Sequence, residues 1–235
     1  MSKTNIDTSF DFRTDANGGD PDSTSPRLRM YHQLLWSKPL PNSKLFALDG
    51  NSGNGYLYHK SDLGEFILTS DGMLPSFSKH KRYAHIIGQI PEEELKSFVD
   101  EIYTIGGFII FPGERINGQM TINGARGCNH KIRDRFDLTL ECIRQYYKNE
   151  ESPLYSDLAR YDQFFRLFID IKGYVDFFLL QDLVVDDFSA IRFFTPFDNF
   201  VSSPLPESVE AYKLYRDKTI KFIEDRNNRI ADIYR

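Results

Sequence analysis

Gly106-Gly107-Phe108-Ile109-Ile110-Phe111-Pro112-Gly113 sets four consecutive apolar side chains between a glycine pair and a proline-glycine stop. Such a run is too short for a helix and is bounded by turn formers. It predicts a strand buried on both faces, at the centre of a sheet. A central strand needs neighbours. Residues 56–59 and 65–69 are two more strand-like runs, flanking Lys60-Ser61-Asp62-Leu63-Gly64, and their arrangement predicts a hairpin. Residues 45–48, 83–87 and 190–194 read as further short strands.

Helical spacing fills much of the remainder. Ser25 and Pro26 form a cap and a first-turn proline, and Leu28, Tyr31, His32 and Leu35 recur until Pro39 and Pro41 stop the helix. Pro91 with Glu92, Glu93 and Glu94 opens a second helix, whose stripe is Leu95, Phe98, Val99 and Ile102. Further helices are expected over residues 131–147, from Ser152-Pro153 to near Gly173, over 174–184, and over 206–233. Strands mixed with helices, without strict alternation, predict an α+β fold: a small mixed or antiparallel sheet packed against several helices, with a mainly helical C-terminal half. Residues 1–24 are acidic and turn-rich and read as a loop-rich N-terminal segment, followed by one globular domain over 25–235.

The 235 residues include 20 Phe and 13 Tyr, enough large rings to build a substantial core. A net charge of −5 argues against a dedicated nucleic-acid binder, although a local basic patch can override the global balance. No apolar stretch is long enough to span a membrane, and residues 1–7 carry no apolar leader. Cys128 and Cys142 are too few for a disulfide framework and are expected as reduced thiols in a cytoplasmic protein.

Three stretches carry a resemblance. The first runs from Asp11-Phe12-Arg13-Thr14-Asp15 through Gly19-Asp20-Pro21-Asp22 and on to Tyr31-His32-Gln33-Leu34-Leu35-Trp36-Ser37-Lys38-Pro39-Leu40-Pro41. The second begins Ile132-Arg133-Asp134-Arg135-Phe136-Asp137 and the third Gly173-Tyr174-Val175-Asp176-Phe177-Phe178. Together they resemble an uncharacterised family of bacterial cytoplasmic proteins, a domain of unknown function, over nearly the whole chain. The resemblance implies a bacterial or phage setting and a stand-alone domain. It supplies no activity, catalytic residue or cofactor.

Chemistry must therefore be read from the residues. Gly118, Gly124 and Gly127 make residues 117–129 a glycine-rich loop feeding the helix expected from 131, and Arg126, Asn129, His130, Lys131, Arg133 and Arg135 crowd that junction. Free N–H groups and the positive end of a helix dipole favour an anion there, and cations in a first turn oppose the dipole unless an anion is present. The competing reading, a solvated or salt-bridged loop, carries more weight because neither the P-loop nor the dinucleotide spacing is matched. Arg135 falls within the apolar arc of its helix, and Arg226 within the stripe of Tyr212, Tyr215, Thr219, Phe222, Ile223, Ile230 and Ile233. A buried guanidinium needs a partner: Asp11 or Asp15 for Arg135, a neighbouring helix for Arg226, or a ligand anion for either.

Asp11 and Asp15 are weak catalytic candidates, as general base or metal ligands. Together with Asn17, Asp20 and Asp22, however, they miss the calcium-loop pattern and read as turn formers. No metal site and no cofactor is indicated. The expectation is a domain that binds, or processes, an anionic phosphate-bearing ligand such as a nucleotide or nucleic-acid end, with Lys79, Lys81 and Arg82 in support. The alternative is a non-enzymatic interaction component that uses Tyr and Phe exposed on its terminal helix.

Overall fold

The structure is a computed structural model and describes residues 5–50 and 55–234; the first four residues of the acidic N-terminal segment lie outside it. In chain order the elements are α1 (Pro21–Thr24), α2 (Pro26–Trp36), β1 (Lys38–Pro39), β2 (Leu45–Phe46), β3 (Leu57–Ser61), β4 (Gly64–Gly72), α3 (Ala84–Ile87), α4 (Glu92–Ile102) and β5 (Phe108–Pro112). Then follow α5 (Ile122–Cys128), α6 (Phe136–Tyr147), α7 (Tyr155–Ala159), α8 (Asp162–Phe165), α9 (Ile171–Phe178) and α10 (Val209–Tyr234). β1 pairs with β2, and β3, β4 and β5 form an antiparallel sheet in that order. The fold is α+β, with a mainly helical second half.

The hairpin forms as expected, with Leu57 opposite Leu68 and Ser61 opposite Gly64. β5 is buried at every position, yet it is an edge strand; β4 holds the centre. α10 supplies the cover that makes this edge interior. At Gly106 an added Cβ would lie 2.6 Å from the Ile223 carbonyl oxygen, so only glycine permits the approach, and Gly106 N donates to Asn227 Oδ1 at 2.8 Å.

Several local expectations change. Residues 84–87 form helix α3 after a 3-10 turn over Lys81–Tyr83, because Tyr83, Ile86 and Ile90 bury one helical face where alternation was expected. Residues 190–194 contribute one bridge, Ile191 to Val184. The helix read from 152 to 173 divides into α7, α8 and a 3-10 turn over Arg166–Phe168, and Gly173 falls inside α9. The glycine-rich stretch contains α5, capped by Thr121, whose Oγ1 accepts from Gly124 N. The next helix starts only at Phe136, because Arg133 and Asp134 take φ of 49° and 61°.

The N-terminal segment reaches the core. Phe12 is fully buried and meets the rings of Tyr31 and Phe108 edge-on at 5.7 and 5.6 Å. On the far side Trp36, Phe168, Phe177 and Phe178 pack ring against ring, which joins α2 to α9.

Candidate functional site

Arg126 lies within α5, not in a loop, and its side chain is fully buried. It forms an ion pair with Asp71 at the end of β4 and donates to Thr139 Oγ1 at 2.9 Å, the Asp134 carbonyl at 2.8 Å and the Met73 carbonyl at 3.2 Å. The guanidinium thereby ties α5, β4 and α6 together.

Arg135 is the residue preceding α6 and is 1% exposed. Its Nε donates to Asp137 Oδ1 at 3.1 Å, and its Nη1 donates to Thr195 Oγ1 at 2.7 Å and the Pro204 carbonyl at 2.6 Å. The internal ion pair exists, but its partner is Asp137 rather than Asp11 or Asp15. A helical wheel puts Asp137 on the outer face; α6 instead runs through the interior, with every residue from Phe136 to Ile143 buried.

Arg226 is fully buried, and no carboxylate pairs with it among the described residues. Its Nη1 donates to the carbonyls of Gly106 at 2.8 Å and Phe108 at 2.7 Å, and its Nε and Nη2 donate to the Phe178 carbonyl at 3.2 and 3.0 Å. Burial pulls its pKa down to about 9, so it stays charged at pH 7. It therefore bridges α10, β5 and α9 through backbone oxygens.

The other proposed side chains lie on the next turn. Asn129 Nδ2 donates to the Pro153 carbonyl at 3.0 Å, while its Oδ1 accepts from Lys131 N at 2.9 Å. His130 is exposed, and Lys131 and Arg133 are half-buried. The charge of Arg133 is felt at Tyr83: burial and Glu207 push that phenol up to about 12, while Arg133, Arg135 and Arg82 pull against them. The fold thus puts Arg133 of the turn at 129–134 within electrostatic range of Tyr83 in the basic segment 79–85. Lys79, Lys81, Arg82 and His85 are exposed there, and among the described residues none of these cations, nor Lys131 or Arg133, forms an ion pair.

Asp11 caps the 3-10 turn Phe12–Thr14 and pairs with Arg13, which also binds Asp100 at 2.6 Å. Asp15 accepts from Ser25 Oγ at 2.6 Å and from Arg27 N at 3.0 Å, fixing the entry to α2. Asp20 caps α1. Asp11, Arg13 and Asp100 line a polar cleft with Lys96, Glu101 and Glu224. Cys142 is buried, its thiol pushed up to about 12 by burial, and Cys128 is exposed. On α10 the aromatic residues Tyr212, Tyr215 and Phe222 are buried in the protein's own core, which leaves Leu214 and Ile233 as its exposed large apolar side chains.

Sequence reading missed a buried polar chain running inward from α2. Trp36 Nε1 donates to His32 Nδ1 at 3.0 Å, so His32 carries its proton on Nε2, 2.9 Å from Ser70 Oγ. Burial, reinforced by Arg226, lowers the His32 pKa to about 3. The unfolded chain takes up this proton near pH 6.5, so the His32 contribution to stability is present above 6.5 and is lost as pH falls towards 3. Asp22 opposes it. Burial raises its carboxyl to about 6, so the folded state gains a proton, and stability, as pH falls from 6 to 4. Asp22→Asn is therefore expected to expose the acid loss, about 1.4 kcal/mol per pH unit below 6.5, in urea titrations between pH 7 and 4.5. An unchanged acid limb in that variant would contradict the assignment of these two groups.

No helix among the described residues is long and apolar enough to cross a membrane. Comparison with curated proteins and with solved structures finds no match. One family does match, and its coverage of residues 6–230 takes in the buried arginines, the basic turn and the polar cleft lined by α4 and α10: the chain belongs to the family of unknown function DUF6994.

Proposed function

We propose that this protein binds an anionic, phosphate-bearing partner, such as a nucleotide or a nucleic-acid end, where the turn at 129–134 meets the segment at 79–85. One observation carries the reading: in a chain of net charge −5, Arg133, Lys131, Lys79, Lys81 and Arg82 form no ion pair among the described residues, and the charges of Arg133 and Arg82 both act on Tyr83. Arg133 also holds a left-handed backbone conformation, φ 49°, uncommon for a residue with a side chain. Guanidinium and ammonium groups outside ion pairs favour phosphate oxygens, although Asp134 and Glu207 put negative charge nearby. Arg126 and Arg135 support the turn from inside, Arg126 through the Asp134 carbonyl and Arg135 through Asp137, while the donors of Arg226 are taken up by β5 and α9.

The test is titration of ATP and of a 5′-phosphorylated oligonucleotide into the wild type and into Arg133→Ala and Arg82→Ala. Each substitution is expected to weaken binding about tenfold, with affinity falling as salt rises. No binding by the wild type, or affinities untouched by both substitutions, would remove the reading.

A further inference from the structure

Lys38 stands at the start of β1, directly after the apolar end of α2, and its side chain lines a cleft of about 490 Å³ between β1 and α9. That volume suits a small molecule. Pro39, Leu40, Pro41, Phe168 and Phe177 supply apolar walls. The ammonium nitrogen lies 5.0 Å from the Trp36 ring centre and 4.8 Å from that of Phe177, and among the described residues no carboxylate pairs with it. The other lysine of the cleft, Lys172, is paired with Asp176 at 2.5 Å.

Two features of the backbone shape this cleft. Gly173 lets its walls close together: an added Cβ would lie 2.0 Å from the Phe168 carbonyl oxygen and 2.9 Å from Pro41 Cγ. On the rim, Ile169 holds φ at 71°, a strained value for a β-branched residue, and is 63% exposed. Strain of this kind collects at ligand sites.

We propose that Lys38 is a nucleophilic lysine and that its cleft takes a small molecule bearing an aldehyde or ketone, held as an imine. The neutral amine adds to the carbonyl carbon, and the carbonyl oxygen leaves as water with both amine protons, so the step needs no further reactant. The surroundings favour the neutral amine. Burial, and then the positive charge of Arg226, lower the Lys38 pKa to about 8, against the pull of the two ring faces. His32, the other nearby group on α2, stays uncharged at neutral pH, and Asp170 on α9 is engaged in capping the helix through Gly173 N at 2.7 Å. About a quarter of Lys38 is then neutral at pH 7.5, against about one part in a thousand for an ordinary lysine.

The experiment treats the full chain with pyruvate or with propionaldehyde in the presence of cyanoborohydride and maps the reduced adducts by peptide mass spectrometry. Lys38 is expected to be modified about tenfold faster than Lys172 at pH 7.5, with a half-maximal rate near pH 8, and the Lys38→Arg chain should lack that adduct. A preference for pyruvate identifies an anionic carbonyl compound, and a preference for propionaldehyde a neutral one. Arg133→Ala should leave the rates unchanged, which separates this site from the phosphate surface. Lys38 modified no faster than Lys172 by both reagents would overturn the proposal, and this comparison within the wild type decides it even if Lys38→Arg does not fold.

Discussion

Arg226→Met is expected to lower the stability of the folded chain by about 5 kcal/mol, a third or more of what a typical domain has. The loss arises from the oxygens left behind. The carbonyls of Gly106, Phe108 and Phe178 each receive a donor from this one guanidinium, at 2.7 to 3.2 Å. Methionine fills the space and supplies no donor, so three buried acceptors are stranded at about 1–3 kcal/mol each. The guanidinium also lies 5.7 Å from the Trp36 ring centre, so α2 loses a contact at the same time. Arg226→Lys keeps the charge but not the planar fork, and should recover only part of the loss. Urea unfolding of both variants measures the effect. A loss below about 1 kcal/mol for methionine would mean that water or a rearranged backbone satisfies those oxygens.

Asp137→Ala should cost about 4 kcal/mol, because it leaves the Arg135 cation buried with its ion partner removed. The consequence is regional. Arg135 and Asp137 hold the irregular chain between α9 and α10 at Thr195, Pro204 and Phe194, whose N–H donates to Asp137 Oδ2 at 3.0 Å. Amide exchange over residues 192–205 should therefore rise before global unfolding. Replacing both partners, as Arg135→Met with Asp137→Leu, removes the stranded charge and should recover much of the stability. A double variant as unstable as Asp137→Ala alone would show that the packing around the pair, and not its charge, carries the energy.

Both predictions rest on internal partners, the reading that residue order already favours for these arginines, but on partners it does not name. Read as a line, Arg135 points to Asp11 or Asp15, Arg226 to a neighbouring helix and Arg126 to a salt-bridged loop, with a ligand anion as the rival for each. Folding supplies acceptors from distant segments: Asp71 in β4 for Arg126, Pro204 for Arg135, and carbonyls of β5 and α9 for Arg226. Backbone oxygens are invisible as partners in a sequence, because every residue has one and only the path of the chain decides which are aimed at a given donor. Lys38 is silent in the sequence for the same reason: nothing beside it announces a cleft whose opposite wall arrives from α9.

Order along the chain was sufficient for the hairpin of β3 and β4, for the burial of β5, for the capped start of α2, for the acidic first turn of α4 and for the mixed α+β class. Each of these depends on periodicity and turn chemistry acting over a few residues. Tertiary structure alone decided that β5 is an edge strand, that α6 begins after a left-handed turn at Arg133 and Asp134, that Asp137 is interior, and which cations stay unpaired. Those outcomes depend on which surfaces meet across long separations, and the free energy of desolvating a charge is set by that meeting rather than by its neighbours in sequence.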